Sequence, residues 1–125
     1  MHASSVRSQH GDGVIHVVPE ADGIVAVCLE GDFDLTNARA LGDQIDIALE
    51  SAQSVILDLS EATFIDSSVI HVLMKAAKAA DGREQTVVLQ LGTASLVERV
   101  LEIAGIERVL PHADDRQEAV RIVHR

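Results

Sequence analysis

Residues 55–80, VILDLSEATFIDSSVIHVLMKAAKAA, decide the fold, because a buried strand passes into a buried helix within them. The apolar run at residues 55–59 predicts a short strand that is covered on both faces. A brief polar link follows, and a helical pattern begins after Asp66. Asp66 suits the N-cap position, because its carboxylate can accept hydrogen bonds from the free amides of the first turn. The stretch therefore predicts a strand-to-helix junction in an α/β domain.

Ser67 is the first residue of this predicted helix. Its hydroxyl would lie beside unpaired N–H groups and the positive end of the helix dipole, where an added phosphate meets a favourable field. Asp66, Ser67 and Ser68 also suit an ordinary helix start, since such residues commonly begin helices. The local chemistry leaves both interpretations open.

The composition indicates one globular domain with an aliphatic core. The chain has 125 residues, of which 47% are hydrophobic, and it contains no Trp or Tyr. This length suits a single domain with a proper core. The formal net charge of −10 argues against nucleic acid, or an anionic membrane, as the main partner. The acidic surface indicates either a basic protein partner or a role in solubility alone.

Cys28 is the only cysteine, so an internal disulfide is excluded. It lies in an apolar run, which predicts a core thiol and not a nucleophile. The first residues show no apolar signal region, and no later apolar run is long enough to span a bilayer. We therefore expect a cytoplasmic protein.

The order of patterns predicts a mixed sheet of four or five strands and about four helices. Residues 1–12 are polar and small and predict a flexible tail before a domain over residues 13–125. The first two strands are joined by a short turn and should form an antiparallel hairpin, whereas the strand–helix–strand order that follows favours a parallel crossover. Predicted strands cover residues 14–18, 24–29, 55–59, 87–91 and 109–110, and predicted helices cover residues 36–50, the segment after Asp66, a segment that stops at Gly105, and a segment that starts at Asp114 or Asp115.

Two features of the predicted helices bear on packing and binding. Leu35 is assigned to the apolar face of the helix over residues 36–50. His71, Lys75 and Lys78 follow at spacings of four and three, so they form one basic stripe on the next helix. Such a stripe is ordinarily a solvated edge. In so acidic a chain it is also a candidate partner surface.

The sequence contains no pattern of a catalytic, metal or cofactor site. The six histidines are scattered, and none forms the close His/Cys pairs that metal ligands need. Ser67 is not in a G-x-S-x-G elbow, and no glycine-rich phosphate loop is present. The acids at predicted strand ends could cluster as in a response-regulator receiver, but the paired acids of a receiver's first strand and its late lysine are missing. These acids are Asp32, Asp34, Asp58 and Asp66.

Two stretches resemble a known family. Residues 29–38, LEGDFDLTNA, are similar to its segment L-x-G-[ED]-hydrophobic-D-hydrophobic followed by Ala. Residues 57–68, LDLSEATFIDSS, are similar to its segment hydrophobic-D-L-S followed by two hydrophobic residues and D-S-S. In this order, and with the helix stop at Gly105-Ile106, they resemble a STAS domain of the bacterial anti-sigma factor antagonist type. The resemblance covers about residues 12–123 and implies a STAS domain over residues 13–125.

The resemblance implies a non-enzymatic binding module without a cofactor. In that family, the serine directly after the Asp is phosphorylated by an anti-sigma factor that is also a serine kinase, and here that serine is Ser67. The unmodified antagonist binds the kinase and frees a sigma factor. Phosphorylation releases the antagonist, and a metal-dependent serine phosphatase restores it. Asp34 and Asp66 match acidic positions beside the phosphosite, and Ser68 matches a neighbour that is usually unmodified.

One position departs from the family pattern. Similar proteins commonly have Gly after the serine pair, and this chain has Val69. The bulkier Val69 side chain could change how closely a kinase approaches, and could therefore change which partner binds. The sequence names neither the kinase nor the sigma factor, and it does not give the oligomeric state. Two alternatives remain, a STAS-like accessory subunit of a transporter or signalling complex and a module that senses a nucleotide near Ser67.

Overall fold

The computed structural model describes residues 5–92 and 95–125. Within these ranges the chain forms six strands, four α-helices and one 3₁₀ turn. The strands are β1 (Val6–His10), β2 (Gly13–Pro19), β3 (Ile24–Phe33), β4 (Ser54–Ile65), β5 (Thr86–Gln90) and β6 (His112–Ala113), and the helices are α1 (Ala38–Ser51), α2 (Ser67–Gly82), α3 (Ser95–Ala104) and α4 (Arg116–Val123). The 3₁₀ turn is Ile106–Arg108.

The strands form one mixed sheet in the order β1-β2-β3-β4-β5-β6. The pairs β1–β2 and β2–β3 are antiparallel, and the pairs from β3 to β6 are parallel. The predicted hairpin and the predicted parallel crossover from β3 through α1 to β4 are both confirmed. The α/β class is confirmed as well. The sheet has six strands, one more than the four or five that were predicted.

The additional strand is β1, and it corrects the prediction of a flexible tail over residues 1–12. Val6 pairs with Val17 and His10 pairs with Gly13, so β1 is an edge strand of the sheet. Gly11 has φ +59°, a conformation that suits glycine in a tight hairpin loop. Because backbone pairing and not burial holds this polar segment, it shows no apolar pattern. Residues 1–4 of the predicted tail lie outside the described residues.

The last strand also differs from its prediction. Residues 109–110 were expected to form it, but His112–Ala113 pairs with β5 instead. Val109 and Leu110 both donate their backbone N–H to the carbonyl oxygen of Ile106. These bonds continue the 3₁₀ turn, so the buried Leu110 is a core residue of a turn and not of a strand.

Strand β4 is longer than predicted. The expected polar link after residue 59 continues as strand to Ile65, with Ala62 and Ile65 buried. Its pairing with β3 shifts register between Cys28 and Glu30 and again between Gly31 and Asp32. Such bulges break the strict alternation of buried and exposed residues. That irregularity made the second half of β4 resemble a loop in the sequence.

The core has two parts, one on each face of the sheet. On one face, α1, α2 and α3 pack against the sheet through residues such as Leu41, Leu73 and Leu101. On the other face, α4 packs through Ala119 against a smaller cluster. Leu35 was predicted on the apolar face of α1, but it is 78% exposed because the helix begins only at Ala38.

Candidate functional site

The junction between β4 and α2 presents a serine hydroxyl at the protein surface. Asp66 is the N-cap of α2, as predicted, with an extended backbone and a carboxylate that accepts from the Ser68 N–H at 2.9 Å. Ser67 is the first residue of the helix and is exposed, and Ser68 is partly buried. Val69 is fully buried. The side chain that departs from the family pattern therefore points into the core, and Ser67 remains open to an approaching protein.

The same end of the sheet carries a second acidic residue. Phe33 of β3 pairs with Ile65 of β4, so Asp34 and Asp66 each directly follow a paired strand end. The Asp34 carboxylate accepts from the Thr36 hydroxyl at 2.6 Å and from the Thr36 N–H at 2.8 Å. These two hydrogen bonds lower the pKa of Asp34 below its ordinary value, and the bond from the Thr36 hydroxyl has the larger effect. Asp34 is therefore ionised at neutral pH.

Asn37 fixes the loop that holds Asp34, and sequence reasoning missed this role. Its side chain is 2% exposed. Its amide donates to the backbone oxygens of His10 and Asp32 at 3.0 Å each, and its carbonyl oxygen accepts from the Asp34 N–H at 2.9 Å. One buried side chain thus ties the β1–β2 hairpin to the end of β3. An Asn just before a helix resembles a simple cap in sequence, but here it makes no cap hydrogen bond.

Two large apolar side chains are exposed at this end of the sheet. Leu35 follows Asp34 and is 78% exposed, and Phe64 is the last residue but one of β4 and is 43% exposed. Exposed apolar groups beside a polar site are typical of a protein-binding surface. Together with Ser67 they form what we call the Ser67 surface, defined as Asp34, Leu35, Phe64, Asp66 and Ser67.

Comparison with known proteins agrees with this architecture. A family model described as "Mlab, STAS domain" matches residues 16–111. The chain belongs to the STAS domain family. The STAS domain is also similar to solved structures, among them an anti-sigma factor antagonist from Mycobacterium paratuberculosis, with 24% identity, a TM-score of 0.77, and coverage of 90% of this chain and 95% of that chain.

Two further solved structures share the fold of this STAS domain. One is the Bacillus cell fate determinant SpoIIAA in its phosphorylated form, with 16% identity, a TM-score of 0.67, and coverage of 87% of this chain and 98% of that one. The other is a sulfate transporter family protein from Wolinella succinogenes, with 20% identity, a TM-score of 0.69, and coverage of 86% and 88%. At these identities the likeness concerns the fold.

The acids predicted to cluster at strand ends do not all come together in the STAS domain. Asp58 is only 7% exposed on the face where α4 packs, and its carboxylate accepts from Arg116 of α4 at 2.7 Å. Arg116 also bonds Gln90 at 2.6 Å and Glu20. Asp58 therefore belongs to a structural cluster and not to the Ser67 surface. Sequence reasoning gave Arg116 no role.

Cys28 borders the same cluster. Its sulfur accepts from Arg116 at 3.3 Å. Burial, and then the charge of Asp58, raise the pKa of the Cys28 thiol. The thiol is therefore protonated at neutral pH and a poor nucleophile, which agrees with the prediction of a packing role.

The predicted basic stripe is exposed on α2, but it extends away from the Ser67 surface. His71, Lys75 and Lys78 are all exposed, and they line a groove beside the second half of the helix. Within residues 5–92 and 95–125, no group of three His, Cys, Asp or Glu side chains is arranged to hold a metal ion. None of the helices in these ranges is long and apolar enough to cross a membrane.

Proposed function

We propose that this STAS domain is an anti-sigma factor antagonist, and that phosphorylation of Ser67 switches its binding off. Its partner is an anti-sigma factor with serine kinase activity, and a serine phosphatase acts on the modified form. The domain itself is a cytoplasmic binding module and not an enzyme. The observation that carries the proposal is the exposed Ser67 residue at the start of α2, at the same end of the sheet as the exposed Leu35 and Phe64.

The local charges support a switch that acts on binding and leaves the fold intact. A phosphate on Ser67 adds roughly −1.5 to −2 charges and three strong acceptor oxygens. The first turn of α2 partly accommodates this charge, because its N–H groups and dipole favour an anion. Asp66 and the ionised Asp34 oppose it nearby. The net result is a concentrated negative charge on a surface that also carries the exposed apolar side chains of Leu35 and Phe64.

Such a charge is costly in a protein interface. In the unmodified state, Leu35 and Phe64 can be covered by the partner without burying a charge at Ser67. After phosphorylation, docking would have to desolvate the phosphate, which costs several kcal/mol unless cations compensate. A loss of only about 2.7 kcal/mol lowers affinity roughly a hundredfold. This is sufficient to release a partner of moderate affinity.

The direct test is incubation of the full chain with its cognate anti-sigma kinase and ATP, followed by peptide mapping. We expect phosphate on Ser67 in the wild type and none in Ser67→Ala, whereas Ser68→Ala remains a substrate. Affinity for the kinase is then measured for wild type, Ser67→Ala and the phosphorylated protein. We expect Ser67→Ala to retain binding and phosphorylation to weaken it about a hundredfold. Phosphate found only at other residues, or equal affinities of the modified and unmodified proteins, would reject the switch.

A second candidate function is an accessory subunit of a transporter. It is favoured by the fold shared with the sulfate transporter family protein from Wolinella succinogenes. In that case the Ser67 surface would bind its partner without a phosphorylation cycle. Binding of a purified transporter subunit that is lost in Phe64→Ala but unchanged by phosphorylation of Ser67 would favour this function over the first.

A further inference from the structure

A groove of 790 Å³ lies between α2 and the segment that follows the 3₁₀ turn. The start of β5 also lines it. Exposed apolar side chains contribute to both walls, since Met74 of α2 is 38% exposed and Val109 is 48% exposed. The basic side chains that line the groove are His71, Lys75, Lys78 and Arg108.

The charge of this groove is opposite to that of the chain. The protein carries 20 acidic residues against 10 Lys and Arg. Nevertheless, both of its lysines and Arg108 line the groove, where Asp81 is the acidic side chain. None of Lys75, Lys78 and Arg108 forms an ion pair within the described ranges. Their charges are therefore available to an incoming anionic group.

The spacing of the basic side chains favours an extended occupant. The row advances by seven residues from His71 to Lys78, which is about 10 Å along the helix axis. One phosphate or carboxylate can contact a cation only within hydrogen-bond distance, so a compact anion would reach one or two of them. A partner helix with acidic residues at the same spacing would reach the whole row. Its apolar face would at the same time cover Met74 and Val109.

We propose that this groove binds an acidic amphipathic segment of a partner protein. The segment lies along the second half of α2, with carboxylates at the basic row and apolar side chains between the two walls. The groove extends along α2 from His71, about 6 Å along the axis beyond Ser67, to Asp81, about 21 Å beyond it, and none of its lining residues belongs to the Ser67 surface. The proposal therefore does not depend on phosphorylation of Ser67.

The test uses the full chain labelled with ¹⁵N and a helical peptide of about 15 residues, a length at which an isolated helix can form. The peptide carries Glu at positions i, i+4 and i+7 beside a stripe of Leu, and its matched control has Gln at each Glu position. We expect the acidic peptide to shift amide signals of the groove, at residues 71–81 and 108–110. The Gln peptide should bind about tenfold more weakly at low salt.

Two charge-reversal variants separate the groove from the general charge of the protein. Lys75→Glu/Lys78→Glu should weaken the acidic peptide about tenfold or more. Arg99→Glu/Arg121→Glu makes the same change in net charge at exposed sites on α3 and α4, and it should leave the affinity unchanged. Dispersed amide spectra confirm that both variants fold. Equal weakening by the two variants, equal binding of the two peptides, or shifts outside the groove would overturn the proposal.

Discussion

Asp58 of β4 and Arg116 of α4 form a salt bridge of 2.7 Å that joins the last helix to the middle of the sheet. The Asp58 side chain is 10% exposed and the Arg116 side chain 29%. Burial by itself would lower the pKa of Arg116, but the hydrogen bond to Asp58, the contact with Cys28 and the charge of Asp58 outweigh it, and the pKa is raised. Arg116 is therefore charged at every physiological pH. Because Arg116 also reaches Glu20 and Gln90, one guanidinium organises the face of the sheet on which α4 packs.

Replacement of Arg116 by Met should destabilise the protein by about 2 kcal/mol. The change keeps the aliphatic stem but leaves the buried Asp58 carboxylate without its cation, and the partial exposure of Arg116 limits the cost. Urea denaturation followed by circular dichroism measures the loss. Arg121→Met, at an exposed position of the same helix, is the matched control and should change stability by less than about 0.5 kcal/mol. Equal losses in the two variants would mean that the salt bridge contributes nothing.

Replacement of Asp66 by Ala should cost about 1 kcal/mol of stability, because the first turn of α2 loses its side-chain cap at the Ser68 N–H. Asp66→Asn should restore most of this loss, since Asn caps helices about as well as Asp. Thermal and urea unfolding of both variants provide the measurement. A loss in the Asn variant as large as that in the Ala variant would show that the negative charge, and not the cap, stabilises this helix start.

These two predictions illustrate which parts of the structure were accessible from the sequence. The Asp66 cap was predicted because donor and acceptor are two residues apart, and short-range spacing is visible in a sequence. The roles of Arg116 were not, because its bonds to Asp58 and Glu20 span 58 and 96 residues. An arginine in the first turn of a helix resembles an ordinary solvated residue until the fold brings its partners together.

The same distinction explains the candidate site. Ser67 could be identified because its position depends on one helix boundary. The separation of Asp58 from Asp34 could not, because Asp58 lies within β4, which continues to Ile65, whereas Asp34 follows the paired strand end. The pairing of β3 with β4 contains two register shifts after Asp58, and such irregularities hide the second half of the strand in the sequence. Asp58 was therefore predicted at a strand end, although the strand continues for seven residues beyond it.

Replacement of Thr36 by Val should raise the pKa of Asp34. The Thr36 hydroxyl is the main cause of the lowered value, and the backbone N–H bond of residue 36 remains in the variant. Because the folded pKa is depressed, this bond stabilises the fold above the pKa of unfolded Asp, and the contribution is lost as the pH falls through the folded value. A carboxyl ¹³C NMR titration should therefore show a higher pKa in Thr36→Val and a wild-type value in Thr36→Ser. The same pKa in the Val variant and the wild type would assign the shift to another cause.

Replacement of Gln85 by Glu should destabilise the protein by about 3 kcal/mol at neutral pH, because a charged group would replace a buried amide. The Gln85 amide donates to the backbone oxygens of Leu49 and Ala52 at 2.7 Å each and so satisfies two carbonyls at the end of α1. Its own carbonyl oxygen is buried, and it has no hydrogen-bond partner in the described ranges. The carboxylate oxygen that replaces the amide nitrogen would face two carbonyl acceptors, and the charged group would lose its hydration, which costs more than a missing hydrogen bond.

The loss in Gln85→Glu should depend on pH, and this dependence separates it from a simple packing defect. Only the protonated acid can donate to Leu49 or Ala52, so the pKa of the introduced carboxyl group should be raised in the folded variant above its unfolded value. A raised carboxyl pKa stabilises the fold below the unfolded value and loses that contribution as the pH rises through the folded value. Urea denaturation at about pH 4 and about pH 7 should therefore show a smaller deficit relative to wild type at the lower pH. Gln117→Glu, on the exposed side of α4, should show almost no deficit at either pH, and a pH-independent loss in Gln85→Glu would contradict the donor role of the amide.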